Sequence, residues 1–314
     1  MLDVRRLRLL RELAHQGTIA AVAEALSFSP SAVSQQLSVL EREAGVPLLE
    51  RTGRRVALTP AGRNLVRHTE AVLELLERAD AELARARTGP AGPLRIGAYP
   101  SAVRALLPAA LAELASRHPE LEAMVSEVDP AAVAAALRAG ELDAALVHEY
   151  DLVPGEPEDG IALTGPVFAE PLYLAARSAG ALAGHRDSPW ITSPPGTLCH
   201  TMVQRVCQSA GFGPRVRHRV DDFAAQLALV AVGQGVALVP HLGIGDCPPG
   251  VVLTRVALVP HLGIGDCPPG VVLTRLPLYR RTRTAFRAGG AAHPAVAAFA
   301  AALHAAVPAE LRSA

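Results

Sequence analysis

Apolar and polar positions recur at helical spacing near the start of the chain and predict two short neighbouring helices. The first is capped by Thr18 and ends near Ser27. Its apolar residues follow the i, i+3, i+4, i+7 spacing of a buried helix face, at Ile19, Val22, Ala23 and Leu26. The second begins with Ser29 as N-cap and Pro30 as first helical residue, and it ends at Gly45. The pattern therefore predicts two packed helices joined by a tight turn.

The second helix has one apolar side and one polar side with little charge. With a turn of about 100° per residue, the apolar side consists of Val33, Leu37, Leu40 and Ala44. The opposite side consists of Ser31, Gln35, Ser38 and Arg42, with Ser34 on its flank. This arrangement is typical of a helix-turn-helix, in which hydroxyls and amides match donors and acceptors on DNA base edges. An ordinary solvated helix face is the alternative interpretation of this segment alone.

A short basic hairpin is predicted after the second helix. Two short stretches, 48–51 and 55–58, flank the turn 52–54, which places arginines at the tip. A basic hairpin in this position would act as a wing on the phosphate backbone. The predicted DNA-binding residues are Pro30, Ser31, Ser34, Gln35, Ser38, Arg51, Arg54 and Arg55.

One long helix is predicted next, over residues 60–88. Thr59 and Pro60 start it, and the next helix-breaking residues are in the stretch 88–90. Apolar and small residues alternate along it at spacings of four and three, at Leu65, Thr69, Val72, Leu76, Ala79, Leu83 and Ala86. This heptad pattern predicts a seam between two copies of the chain, and a long helix lying on its own domain is the alternative.

After a Gly/Pro-rich linker the pattern changes to apolar strands that alternate with Ala/Leu-rich helices. Strands are predicted at 94–99, 123–128, 142–148, 172–176, 190–192, 216–220 and 236–239. Helices are predicted at 101–117, 130–139, 197–210 and 222–232. The order is that of an α/β fold, here in two successive sets. The overall fold class is therefore α/β, with an all-α winged helix-turn-helix and a long linker helix in front of two α/β lobes.

Composition excludes several classes of function. Arginine supplies every basic side chain and the formal net charge is zero, but residues 1–67 hold ten arginines against six acids, which weakly favours an anion-binding module there. The start of the chain resembles no secretory signal, and glycines break the apolar runs well before the roughly 20 residues that span a bilayer. The four cysteines lack zinc-site or disulfide spacing. Since no nucleotide-binding or hydrolase motif is present either, we expect no enzyme, metal or cofactor.

The first 62 residues resemble the winged helix-turn-helix of LysR-type transcriptional regulators. The resemblance is carried by "SAVSQQL" (31–37), Leu40-Glu41, "LER" (49–51) and "LTPAG" (58–62). The chain departs from the family pattern at Ile19, Leu49 and Phe28-Ser29, mostly packing positions. Membership implies a cytoplasmic homodimer or homotetramer that binds double-stranded DNA and a small-molecule effector. It also implies three parts: residues 1–59, the linker helix 60–88, and an effector domain 89–314 resembling periplasmic binding proteins.

The effector domain is expected to have lobe I at about 93–165 and 276–314, and lobe II at about 166–275. In open α/β sheets, ligands lie at the carboxyl ends of strands near helix N-termini, which favour anions. The predicted effector-binding residues are Pro100, Ser101, Ser126, Asp129, Ser193 and Thr197. For each polar residue, simple helix capping is the alternative role.

Two other functions and one irregularity remain open on sequence grounds. The chain could be a ligand-binding module that does not regulate DNA. It could also sense redox state through Cys199 and Cys207, as peroxide-sensing family members do, although these residues would be roughly 12 Å apart on an intact helix.

The 20 residues 236–255 recur identically at 256–275, as a recent duplication or a sequence error. We expect the first copy to supply the core strand, the second to supply the return strand, and 250–260 to be surplus.

Overall fold

The computed structural model describes residues 1–52, 55–86, 89–155, 158–244 and 272–311. The first part is a winged helix-turn-helix, and its elements are α1 (Val4–Gln16), α2 (Ile19–Ala25), α3 (Pro30–Ala44), β1 (Leu49–Thr52) and β2 (Arg55–Leu58). The predicted caps are present: Thr18 Oγ1 accepts a hydrogen bond from Ala21 N, and Ser29 Oγ accepts one from Ala32 N, both at 3.2 Å. The predicted helix pair and antiparallel wing are therefore confirmed.

Three helices enclose the core of the winged domain. Its fully buried residues include Leu10, Val22, Val33, Leu37 and Leu40. The wing is fastened to α3 because Glu41 accepts hydrogen bonds from the backbone N–H groups of Leu48 and Leu49, at 2.9 and 3.0 Å. The apolar side of α3 is thus fixed inward, which leaves its polar side at the surface.

Helix α4 (Pro60–Arg85) follows the wing and is about 39 Å long. One side of it packs on its own chain, where Thr69, Leu73 and Ala81 are buried and Leu65 contacts the winged-domain core. The prediction that Thr69 belongs to the intermolecular seam is wrong for that reason, whereas Leu65 is only partly buried. The later seam residues are exposed in the single chain, at Val72, Leu76, Ala79, Leu83 and Ala86.

One large sheet runs through both lobes of the effector domain. Its strands are β3 (Gly92–Ala98), β4 (Leu121–Glu127), β5 (Ala144–Tyr150), β6 (Ile161–Leu163), β7 (Phe168–Ala176), β10 (Ala237–Pro240) and β11 (Val272–Arg287). The strand order is β10-β7-β11-β5-β3-β4, with β6 paired to β11. A second, parallel pair in lobe II consists of β8 (Pro189–Thr192) and β9 (Arg215–Arg219).

Helices cover the sheet and build the walls of the cleft between the lobes. They are α5 (Pro100–Ala105), α6 (Leu107–Arg117), α7 (Pro130–Ala139), α8 (Leu198–Ser209), α9 (Phe223–Ala231), α10 (His241–Ile244) and α11 (Pro294–Ala306). The single helix predicted at 101–117 is wrong, because the chain breaks at Leu106 between α5 and α6. Pro108 explains the break, since it has no N–H to donate to the carbonyl of Arg104. None of the helices within the described residues is long and apolar enough to cross a membrane.

Strand β11 connects the two lobes. It pairs antiparallel with β5 of lobe I over 280–285 and with β7 over 272–275 and 279–282. The duplicated segment is used as expected at its two ends, since β10 comes from the first copy and β11 begins in the second. The expected surplus at 250–260 lies outside the described residues.

The winged domain contacts lobe I through α1 and α7. The Arg138 side chain, near the end of α7, is buried, and its Nε lies 4.0 Å from Glu12 Oε1. Glu12 also pairs with Arg11 at 2.7 Å, and Arg11 donates to the carbonyl of Arg138 at 3.2 Å. Helix α7 therefore runs from the cleft, at Pro130, to the winged domain.

Candidate DNA-binding face and effector cavity

The outer side of α3 forms a polar surface. All five predicted residues of this helix are exposed, at Pro30, Ser31, Ser34, Gln35 and Ser38. Ser31 Oγ lies 3.0 Å from the capping hydroxyl of Ser29. No acidic side chain lies among these five exposed residues, so their hydroxyl and amide groups can approach base edges without repulsion by phosphate.

The wing carries the predicted phosphate-binding arginines beside this helix. Arg51 lies on β1, where it pairs with Val56, and Arg55 lies on β2, where it pairs with Thr52. Arg54, at the tip, lies outside the described residues. The backbone of the hairpin therefore supports a basic wing next to α3.

A cavity of about 480 Å³ lies between lobe I and lobe II. Four of the six predicted effector residues line it: Pro100, Ser101, Asp129 and Thr197. They come from the N-termini of α5, α7 and α8, which the fold brings together at one end of the sheet. Two of these residues also cap helices, the alternative role considered for them. Asp129 Oδ1 accepts a hydrogen bond from Ala131 N at 2.8 Å, and Thr197 Oγ1 accepts one from His200 N at 3.1 Å.

The other two predicted effector residues lie outside the wall of this cavity. Ser126 is exposed on the edge strand β4, where the alternation of a strand puts it on the same outer side as Glu122 and Met124. Ser193 is buried under the first turn of α8, where its carbonyl lies 3.1 Å from His200 Nδ1. The structure therefore does not bring these two side chains into the cavity wall with the other four.

A buried ion pair that the sequence analysis missed forms part of the wall. Arg280 of β11 donates to Glu170 of β7 at 2.7 Å and to Ser101 Oγ at 2.9 Å. Its guanidinium lies 4.7 Å from the centre of the Tyr99 ring. Glu170 also accepts from Leu242 N at 2.6 Å. These contacts connect β7 and β11 with α5 and α10 beneath the cavity.

The signal for this cluster is present in β11 but ambiguous. Arg280, Thr282 and Thr284 are buried, whereas Arg281 and Arg283 point the other way. Because both sides of this strand are polar, alternation alone does not show which side faces the interior.

Burial raises the pKa of Tyr99, whose hydroxyl lies 2.6 Å from Thr282 Oγ1, to about 12.

His148 is a buried histidine in the same wall. Only 7% of it is exposed, and neither ring nitrogen has a hydrogen-bond partner among the described residues. Its ring packs edge-on against Tyr99 and Tyr150, with centroids 4.7 and 5.3 Å away. Burial, and then the charge of Arg280, hold the pKa of His148 well below its ordinary value. The imidazole is therefore neutral and can accept a hydrogen bond.

Two cysteines lie on α8, one in the cavity wall and one in the core of lobe II. The Cys199 thiol lines the cavity and lies 3.2 Å from the Tyr150 hydroxyl, whereas Cys207 is fully buried. Both thiols are free, and they lie on one continuous helix. Burial raises the pKa of Cys199 and raises that of Cys207 to about 12. Since the thiolate is the reactive form, neither cysteine is activated in this conformation.

Family models match nearly the whole chain. Residues 4–63 match "Bacterial regulatory helix-turn-helix protein, lysR family", and residues 87–308 match "LysR substrate binding domain". Both descriptions are those of a transcriptional regulator and not of an enzyme.

Individual relatives agree with these matches. The chain is 32% identical to a "Probable hydrogen peroxide-inducible genes activator" of Mycobacterium avium, over 76% of this chain and 78% of that protein. It is 28% identical to "Transcriptional dual regulator GltC" of Bacillus subtilis, over 79% of this chain and 84% of that protein.

Solved structures share the fold. A mutant of OxyR from Corynebacterium glutamicum has a TM-score of 0.55 at 24% identity, covering 98% of this chain and 92% of that one. Full-length CbnR in complex with its target DNA has a TM-score of 0.51 at 23% identity, covering 98% and 100%. With the winged domain, the linker helix and the two-lobed cavity in place, the resemblance seen in the sequence is confirmed. The chain belongs to the LysR family of bacterial transcriptional regulators.

Proposed function

We propose that this regulator reads an operator with the exposed polar side of α3 and changes its activity when a small molecule binds in the cavity between the lobes. The observation that carries the proposal is that one chain holds both an uncharged polar helix face beside a wing and a cavity of about 480 Å³ walled by both lobes. Such a regulator acts where the chromosome is, so we place it in the cytoplasm.

On the DNA side, Ser31, Ser34, Gln35 and Ser38 are proposed to face the major groove, with Pro30 at the start of the helix. The wing arginines Arg51, Arg54 and Arg55 are proposed to hold phosphates. Base contacts give sequence preference, whereas phosphate contacts give affinity that falls with salt. The two groups of residues should therefore be separable by mutation.

The chain is proposed to work as a dimer or tetramer with three parts, at 1–59, 60–88 and 89–314. Helix α4 supports the pairing because large apolar side chains along it are exposed in the single chain, at Val72, Leu75, Leu76 and Leu83. Burying this row against a second copy would place two recognition helices on a two-fold DNA site.

The test is binding of the purified full chain to the DNA upstream of its own gene, by fluorescence anisotropy, with and without a metabolite extract. We expect specific binding whose affinity changes with the extract. Gln35→Ala should weaken the specific complex, whereas Gln208→Ala, an exposed glutamine on α8, should not. Absence of a specific complex, with the extract still stabilising the fold, would favour a ligand-binding module that does not regulate DNA.

A regulator that senses peroxide through Cys199 and Cys207 is the second candidate, favoured by the name of the Mycobacterium avium relative. Against it stand the raised pKa of both thiols and their positions on an intact α8. Treatment with hydrogen peroxide, followed by mass spectrometry and DNA binding, separates the two functions. A Cys199–Cys207 disulfide that alters operator binding, lost in Cys199→Ser, would support redox sensing over our proposal.

A further inference from the structure

Carboxylates dominate the charged side chains of the cavity wall. Glu127 and Asp129 come from lobe I, and Asp221 and Asp222 come from lobe II. Two of the four cap helices, because Asp129 accepts from a backbone N–H of α7 at 2.8 Å and Asp222 accepts from one of α9 at 2.7 Å. Glu127 and Asp221 are exposed, and neither has a hydrogen-bond or ion-pair partner in the part of the chain that the structure describes. Each lobe therefore presents one unpaired carboxylate.

The two arginines of the wall do not balance these carboxylates. Arg280 is neutralised by Glu170, which contacts it at 2.7 Å. Arg104 keeps its positive charge, because it donates only to the neutral backbone carbonyls of Leu242 and Gly243, at 3.2 and 3.3 Å, and this single charge stands against four carboxylates. A helix N-terminus contributes only about half a positive charge, and those of α7 and α9 are already capped by aspartates. The helix N-termini that suggested an anion are therefore outweighed by Glu127 and Asp221.

His148 gives an independent sign that this wall is built for a ligand. A buried polar group without a hydrogen-bond partner costs free energy, so native proteins rarely leave one unless something binds it. Its neutral ring has one acceptor nitrogen and one N–H donor, so it can accept a hydrogen bond from an ammonium group but adds no positive charge for an anion. The histidine thus marks the wall as a binding site, and the two carboxylates favour a hydrogen-bond donor with positive charge as its ligand.

We propose that the effector is a small aliphatic compound carrying a protonated amine, held by Glu127 of lobe I and Asp221 of lobe II. The inference rests on the proposed function of the cavity as the effector site. Val103, Val128, Leu198 and Phe223 give the wall the apolar surface that a short hydrocarbon chain needs. An ammonium bound between carboxylates of both lobes would draw the lobes together, which links binding to a change in the domain.

Three compounds with the same four-carbon chain test the charge directly: 1,4-diaminobutane, 1,4-butanediol and succinate. Thermal unfolding of the full chain with each at millimolar concentration should show an increase of about 2 °C or more with the diamine and none with the other two. In Asp221→Asn, calorimetry should show a loss of about tenfold or more in affinity for the diamine. Glu127→Gln should act in the same direction and replaces Asp221→Asn if that variant does not fold.

Glu122→Gln is the matched control, since Glu122 lies on the same strand as Glu127 but on its outer side. It should bind the diamine as the parent does. Stabilisation by succinate or the diol in place of the diamine would contradict the proposal that the effector carries a protonated amine. Stabilisation by none of the three compounds would contradict it as well. Specific DNA binding that responds to a metabolite extract would then still stand, so the failure of this inference differs from the failure of the proposed function.

Discussion

The carboxylate of Glu170 and the guanidinium of Arg280 lie 2.7 Å apart with only 0% and 1% of their side chains exposed, directly beneath the cavity. Breaking a buried pair on one side leaves an uncompensated charge, which costs more than the pair contributes when intact. Loss of the Glu170 carboxylate would also weaken the hydrogen bond from the backbone N–H of Leu242. A shift of Arg280 would then alter its hydrogen bond to Ser101.

Replacement of Glu170 by glutamine should therefore destabilise the protein strongly. We expect Glu170→Gln to lower the free energy of unfolding by about 3 to 5 kcal/mol in urea denaturation. Glu149→Gln is the control, because the Glu149–Arg283 pair, at 3.0 Å, is partly exposed. Its loss should cost about 1 kcal/mol or less. Equal effects of the two variants would contradict the importance that we give to burial.

Base recognition and phosphate contact predict different responses to mutation. Gln35→Ala should cost about 1 to 3 kcal/mol at one operator position and relax the preference there. Arg54→Ala should weaken binding to all sequences alike and make binding less dependent on salt. Anisotropy titrations at several salt concentrations, on an operator and its single-base variants, measure both. A Gln35→Ala protein with unchanged affinity and preference would show that α3 does not read bases.

The exposed row of α4 predicts a sensitive position for assembly. Leu76→Asp would place a charge in a buried seam and should dissociate the oligomer at micromolar concentration. The control is Leu163→Asp on β6, because Leu76 and Leu163 are both 45% exposed in the single chain. Light scattering decides the point, since a Leu76→Asp protein of unchanged mass would mean that α4 packs elsewhere.

The sequence predicted the helices and strands best where a local signal starts or ends them. Thr18, Ser29 and Thr59 each cap a helix with the side-chain contact expected of them. The single helix expected at 101–117 failed because its periodicity continues through Pro108, whereas its backbone hydrogen bonds do not. Apolar periodicity indicates which face of a helical segment is buried. Whether that segment forms one continuous helix depends on proline, which removes a backbone hydrogen bond.

The cavity was predictable only in part. The position of Ser101 and Thr197 at helix N-termini follows from the order of strands and helices. Arg280 and Glu170 are far apart in the chain, and only the pairing of β11 with β7 brings them together. Since no local pattern encodes that pairing, the charge of the cavity could not be worked out from the residues at strand ends alone.

Helix α7 predicts a route between the cavity and the winged domain. Because Pro130 lines the cavity and Arg138 contacts Glu12, movement of α7 would reach α1 directly. We expect Arg138→Ala to bind the operator as the parent does but to lose most of the change in affinity that a metabolite extract causes. Arg117→Ala, which removes an exposed pair on α6, should keep that change. An unaltered response in Arg138→Ala would exclude this contact as the route.

The duplicated segment gives the last prediction. Deleting residues 256–275 yields the same polypeptide as deleting 236–255, because the two copies are identical, so the sequences of both β10 and β11 are retained. The deletion shortens the connection between Ile244 and Val272 by 20 residues, which lowers the entropic cost of closing it by about 1 kcal/mol.

Deletion of residues 256–275 also removes one copy of an apolar, β-branched stretch that can pair with other chains when exposed. We therefore expect a shortened protein that melts at a higher temperature, stays soluble at higher concentration and keeps its response to the extract. Resequencing the gene is the control, because it shows whether the duplication is present in the cell or is an error in the sequence. A real duplication whose removal lowers the melting temperature or abolishes the response would mean that the second copy has become part of the working structure, because only contacts made by that copy could then account for the loss.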